Sequence, residues 1–261
     1  MSRNRYFFVS VIMVLVVFIL ILGLSTGTSG DFSSNAIKKE DTITDKIKTN
    51  QSGKGQEIML NFTGGKHFSH AVFAFWIEKT DGSFVQTLYV SESVGKGYFD
   101  RTKATDHGWE PGPNQRPATL PYWAHKRTEE KQSEMPFPDA KHPVPDAYTG
   151  ATPLNNFTLT TRLDEKIQEP FRVLMEVNQA FDFNENWTNS MHIDDEDYQT
   201  SGQPSLVYAV TVYPGQDTED YWLNPIGHGH YSGQDGKLYT NLTSLSTALE
   251  IVKTVQLVIK N

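Results

Sequence analysis

Ala71-Val72-Phe73-Ala74-Phe75-Trp76-Ile77 is the stretch on which the fold turns. It is apolar throughout, so it offers no polar face to water and predicts a strand buried on both sides. Glu78-Lys79-Thr80-Asp81-Gly82-Ser83 follows, and its Asp-Gly pair is a strong hairpin signal. Residues 84–90 (FVQTLYV) then return as the second strand. Working outward, residues 58–62, 157–163, 171–177, 206–212 and 255–259 repeat the theme of short apolar or alternating runs bounded by turn residues. Only residues 244–253 read as a helix, with Ser244 as its N-cap. The pattern predicts an all-β fold, an antiparallel two-sheet sandwich of immunoglobulin or fibronectin type in general shape, with one short C-terminal helix.

Residues 93–150 break the pattern. They hold eight of the chain's 13 prolines and no convincing strand. They also hold Tyr98, Phe99, Trp109, Tyr122, Trp123, Phe137 and Tyr148, too much aromatic weight for a disordered insert. The expectation is an ordered, Pro-rich excursion packed on the sandwich.

The N-terminus gives the address. Residues 6–24 carry no charge and are long enough to cross a hydrocarbon core, with Arg3 and Arg5 before them and Asp31 after. The positive-inside rule then puts the rest of the chain outside the cytoplasm, whether residues 1–30 are a cleaved signal peptide or a retained membrane anchor. Residues 31–56 are polar and read as a flexible linker, leaving residues 57–261 as the sandwich domain. The chain has no cysteine, which excludes disulfides, thiolate metal sites, iron–sulfur clusters and a cysteine nucleophile. Its 23 basic residues face 31 acidic ones, for a net charge of −8. With no long basic run, the chain lacks the clustered cations that nucleic acid requires.

The sharpest local sequence is Asp146-Ala147-Tyr148-Thr149-Gly150-Ala151-Thr152-Pro153. It resembles the sequon at which a periplasmic flavin transferase esterifies the phosphate of FMN onto a threonine hydroxyl. The resemblance implies Thr152 as acceptor, Asp146 at the acidic position and Thr149 at the hydroxyl position. Gly150 and Ala151 would let the phosphate approach, the glycine through its freedom to adopt positive φ. The runs FAFWIEKTDGSFVQTLYV, RVLMEVNQAFDFNENW and GHGHYSGQDGKLY resemble a family of predicted periplasmic proteins of unknown function associated with flavin-based electron transfer. The resemblance implies an exported protein carrying covalent FMN, with a flavin transferase and a membrane redox partner. Tyr148, Trp109 and Trp123 are the aromatics expected to flank the flavin.

Other constellations suggest different chemistry. His228 and His230, two apart on an extended segment, point to one face and can hold a metal, with a third ligand from His67, His70, His107, His125 or an acid. Asp182 with Asp194, Asp195 or Asp197 can form an acidic calcium site, although Trp187 and Ile193 rule out an EF-hand loop. Glu78, Glu92 and Glu176 are the candidates for a carboxylate pair. There is no G-x-S-x-G, no H-E-x-x-H and no phosphate-cradling glycine loop. The alternative to a flavoprotein is a cofactor-free binding or assembly module with the aromatic excursion as its contact surface.

Overall fold

Side-chain alternation along the central strands generates two cores instead of one. The computed structural model describes residues 44–129, 136–216 and 220–260, all within the unit Thr42–Asn261. The apolar run 6–24 and residues 31–43 lie outside the described residues. The chain opens with β1 (Thr44–Lys48), β2 (Glu57–Gly64), β3 (Val72–Lys79) and β4 (Phe84–Ser91). The excursion supplies α1 (Glu92–Lys96), β5 (Tyr98–Thr105), β6 (Gly108–Pro113), α2 (Pro121–Glu129) and β7 (Thr149–Gly150). Then come β8 (Asn156–Arg162), β9 (Phe171–Asn178), α3 (Glu196–Ser201) and β10 (Leu206–Val212). The short strands β11 (Tyr221–Trp222) and β12 (Asn224–His228) precede the last strand, β13 (Val252–Lys260).

Two open sheets form the sandwich, in the orders β1-β8-β2-β13-β11 and β12-β10-β9-β3-β4-β7. Pairing is antiparallel except at two edges, where β1 runs parallel to β8 and β7 parallel to β4. The hairpin at Asp81-Gly82 forms as expected: Gly82 sits at φ 88°, and the Asp81 carboxylate accepts from the Ser83 amide and hydroxyl. Those two bonds hold the Asp81 carboxyl below its ordinary range.

The strand β3 is buried on both faces, as its unbroken apolar run requires. Phe73, Phe75 and Ile77 enter the core between the sheets, where Phe62 and Phe157 stack at 4.7 Å. Ala74 and Trp76 point the other way, into a second core. The excursion builds that second core. Val94, Phe99, Leu120, Tyr122, Trp123 and Val144 pack over Trp76, Val90, Leu174 and Val207, covering the outer face of the six-stranded sheet. The described residues of the excursion are therefore docked on the sheet, and they include a hairpin, β5–β6, that its polar sequence conceals.

Two sequence expectations are corrected. Residues 244–253 do not form a helix: only Ala248–Glu250 makes a 3-10 turn, and β13 begins at Val252. Leu245, Ala248 and Ile251, three apart, plug the inter-sheet core. Instead of capping a helix, the Ser244 hydroxyl accepts from the Trp187 indole. The linker reading also fails from residue 44 onward. There β1 joins the sheet, the buried Thr49 hydroxyl donates to the Leu88 carbonyl at 2.7 Å, and Gln56 bonds both the carbonyl and the amide of Ile167.

Candidate functional site: a threonine at the wall of a cleft

Residues 146–151 are clamped to the sheet edge one after another. Asp146–Tyr148 is a 3-10 turn whose Ala147 carbonyl accepts from the Asn50 amide at 2.8 Å. The exposed Asp146 carboxylate pairs with Lys96 at 3.0 Å, and the same ammonium meets Glu92 at 2.9 Å, one helical turn away on α1. Both carboxylates raise the Lys96 pKa, Glu92 more strongly. The Tyr148 hydroxyl donates to the Asp164 carboxylate at 2.9 Å. Burial first, and then the hydrogen bond to Asp164 and its charge, push that phenol up to about 12.

Thr149 and Gly150 form β7, in register with Val90 and Ser91 of β4. The buried Tyr89 hydroxyl donates to the carbonyls of Gly150 at 3.3 Å and Ala151 at 2.9 Å. Gly150 is extended and does not use positive φ, contrary to the sequence expectation. Its value is close approach: a Cβ there would sit 3.0 Å from Cε2 of Tyr89.

Beyond the clamp the chain turns to open space. Ala151, the half-buried Thr152 and the exposed Leu154 line a cleft of about 640 Å³. The rest of the lining includes His70, Val72, Glu92, Lys96, Tyr98 and Asp100. A volume of this size falls in the range that takes small molecules and cofactors, roughly 300–1,000 Å³. Pro153 is buried, and a residue before proline is restricted to extended backbone, so Thr152 is held in place on the wall.

The wall residues Lys96 and Tyr98 were not legible as partners of Thr152. They lie some 50 residues upstream, and the turn at Gly97, φ 57°, brings α1 and β5 beside the sequon. Tyr98 is 50% exposed and is the aromatic ring of the cleft lining. The aromatics expected to flank a flavin go elsewhere. Trp123 is fully buried in the second core with its indole bonded to Thr87, Tyr148 is committed to Asp164, and Trp109 stands exposed on β6. Burial of Phe99, Tyr122 and Trp123 likewise removes them from any contact surface on the excursion.

The residues of the remaining constellations have these partners. The ring of His228 stacks on Tyr239 at 5.3 Å, and that of His230 stacks on Tyr231 at 4.5 Å. The His228 Nδ1 bonds the Gly229 carbonyl at 2.7 Å, whereas the His230 Nδ1 accepts from the Ser232 amide at 3.2 Å. Burial, more than the neighbouring His230, lowers the His228 pKa. Asp182 accepts from the Thr247 hydroxyl, and Asp195 caps α3 by accepting from the Tyr198 amide. Among the described residues no three His, Asp or Glu side chains come together to hold a metal ion. The three glutamates have separate partners: Glu78 pairs with Arg172 and accepts from the Trp76 indole, Glu92 pairs with Lys96, and Glu176 caps α2. No helix among the described residues is long and apolar enough to cross a membrane.

Compared with known proteins, the chain matches no family model, no curated protein and no solved structure.

Proposed function

We propose that the chain is an exported β-sandwich protein that carries FMN covalently on Thr152 and serves extracytoplasmic electron transfer. One observation carries the reading: the hydroxyl-bearing residue that the sequon resemblance singles out lies on the wall of a cofactor-sized cleft. Three features support the reading. Ala151 is small and exposed, so nothing bulky precedes the acceptor. Lys96 is a cation of the lining, and a phosphodiester on Thr152 would compete for it with Glu92 and Asp146. Tyr98 offers an aromatic ring partly open to solvent.

Bound FMN supplies one- and two-electron chemistry, and the protein's part is to position it and tune its potential. Glu92 and Asp100 outnumber Lys96 among the charged residues of the lining, which leaves a surplus of negative charge. That surplus would oppose added negative charge and so keep the potential of a bound flavin low. The uncharged run behind Arg3 and Arg5 supports the export part of the reading.

Intact-mass measurement after co-expression with an exported flavin transferase tests the reading. The expected result is a mass increase of one FMN less water, in a yellow product that keeps its flavin after denaturation. Thr152→Val removes the hydroxyl at nearly constant volume and is expected to abolish the adduct while leaving the thermal unfolding transition in place. A chain lacking residues 1–30 is expected to stay unmodified, because it never meets the transferase. Folded, exported wild-type protein without the added mass would sink the proposal.

A further inference from the structure

The connection between β9 and β10 presents the other unexplained surface, and it is independent of the FMN reading. Phe181, Met191 and Ile193 are 57%, 36% and 72% exposed. Two are tied to α3, the Phe181 amide bonding the Thr200 carbonyl and the Gln199 side chain bonding the Met191 carbonyl, and Ile193 lies two residues before its N-cap Asp195. A cluster of aromatic rings accompanies them. Between Met191 and Ile193, the exposed His192 lays its ring on Tyr231 at 4.2 Å, with the Tyr198 ring edge-on at 5.0 Å. Trp187 completes the cluster against Tyr198 and Tyr231. Three large apolar side chains left in water along one connection, beside a cluster of stacked aromatic rings, are more than the isolated exposed residue that any monomer carries.

The charge around these side chains selects the partner. No lysine or arginine occurs between Arg172 and Lys237. Glu185, Asp194 and Glu196 are exposed, and none has an ion pair among the described residues. Burial, reinforced by Asp195 and Glu196, pushes the neighbouring Asp197 up to about 6. A rim of one sign around an apolar centre steers a partner of opposite sign and disfavours anionic lipid.

We propose that the face formed by Phe181, Met191 and Ile193, rimmed by Glu185, Asp194 and Glu196, docks a protein whose contact patch is apolar at the centre and rich in lysine or arginine at the rim.

The test uses the full chain and a fluorescent peptide of alternating lysine and leucine, with a glutamate–leucine peptide as its counterpart, read by anisotropy. The lysine peptide is expected to bind, with affinity falling about tenfold between low and physiological ionic strength. Met191→Ser with Ile193→Ser keeps the charge and is expected to weaken binding at least about fivefold; Asp194→Asn with Glu196→Gln keeps the apolar centre and should do the same. All four positions are solvent-facing, so the unfolding midpoint is expected to hold within the range of ordinary surface changes. Asp106→Asn with Glu110→Gln, on the β5–β6 hairpin, is the control and should leave binding unchanged. The proposal is overturned by absent binding, by equal binding of the glutamate peptide, or by an equal loss in the hairpin control. Sedimentation showing a dimer that Ile193→Ser disperses would also overturn it, assigning the face to a second copy of the chain.

Discussion

Trp123→Ala is expected to lower the unfolding free energy by about 3–5 kcal/mol, the range for truncating a fully buried large aromatic residue. Trp123 has no exposed surface, and it joins three structures at once. Its ring fills the second core beside Trp76 and Leu174, and its indole donates to the Thr87 hydroxyl at 3.1 Å. Its face carries the Arg127 guanidinium at 5.3 Å. The core between the sheets does not contain it, so the damage should concentrate in the excursion and in the sheet face beneath. In a domain of this size the loss corresponds to roughly 10 °C in the midpoint. Trp109→Ala, at an exposed position on β6, is expected to change stability by no more than about 0.5 kcal/mol. Denaturant melts of the two variants check the contrast. Comparable losses would mean that the excursion is not held by its buried tryptophan.

The contrast between the two tryptophans marks what the sequence makes legible. The strands that carry the inter-sheet core announce themselves, because their apolar residues must repeat at the spacing of the pleat. All seven expected runs became β2, β3, β4, β8, β9, β10 and β13. The strands β1, β5, β6, β7, β11 and β12 were missed for one physical reason. They are edges or a projecting ribbon, so hydrogen bonding to a neighbour and not apolar burial decides their conformation. β1, for example, has the residues Thr44-Asp45-Lys46-Ile47-Lys48, which resemble a linker until β8 is beside them. The candidate site was half legible for a related reason. Thr152 and Asp146 sit in a local sequence signal, whereas Lys96 and Tyr98 meet them only through the fold. No spacing rule separates a buried tryptophan such as Trp123 from an exposed one such as Trp109 inside an irregular segment. That difference appears only once the excursion has a sheet to cover.

The fold should also lose stability as pH rises through the slightly acidic range, and Glu176 should be the main cause. This fully buried carboxyl on β9 accepts from the Tyr122 and Trp123 amides at the start of α2, at 3.2 and 2.8 Å, and from the Ser205 hydroxyl at 2.5 Å. It is the cap that binds the excursion's helix to the sheet. Burial outweighs the three donors and pushes its pKa from 4.5 to about 7. A folded-state value above the unfolded one means that the native protein holds the proton more tightly. The associated stability is fully present below pH 4.5 and is lost as pH climbs to about 7, a difference of about 3 kcal/mol. Asp197, raised by burial to about 6, adds a smaller loss of the same sign. The diagnostic quantity is therefore wild type against Glu176→Gln, which cannot ionise. The variant is expected to be less stable at every pH, because an amide nitrogen replaces one acceptor and faces a donor it cannot satisfy. Its deficit should nevertheless shrink between pH 4.5 and 7.5, as the wild type alone begins to bear the cost of a buried charge. Denaturant unfolding at the two pH values measures both slopes. Parallel profiles would show that Glu176 keeps an ordinary carboxylate pKa in its buried cap.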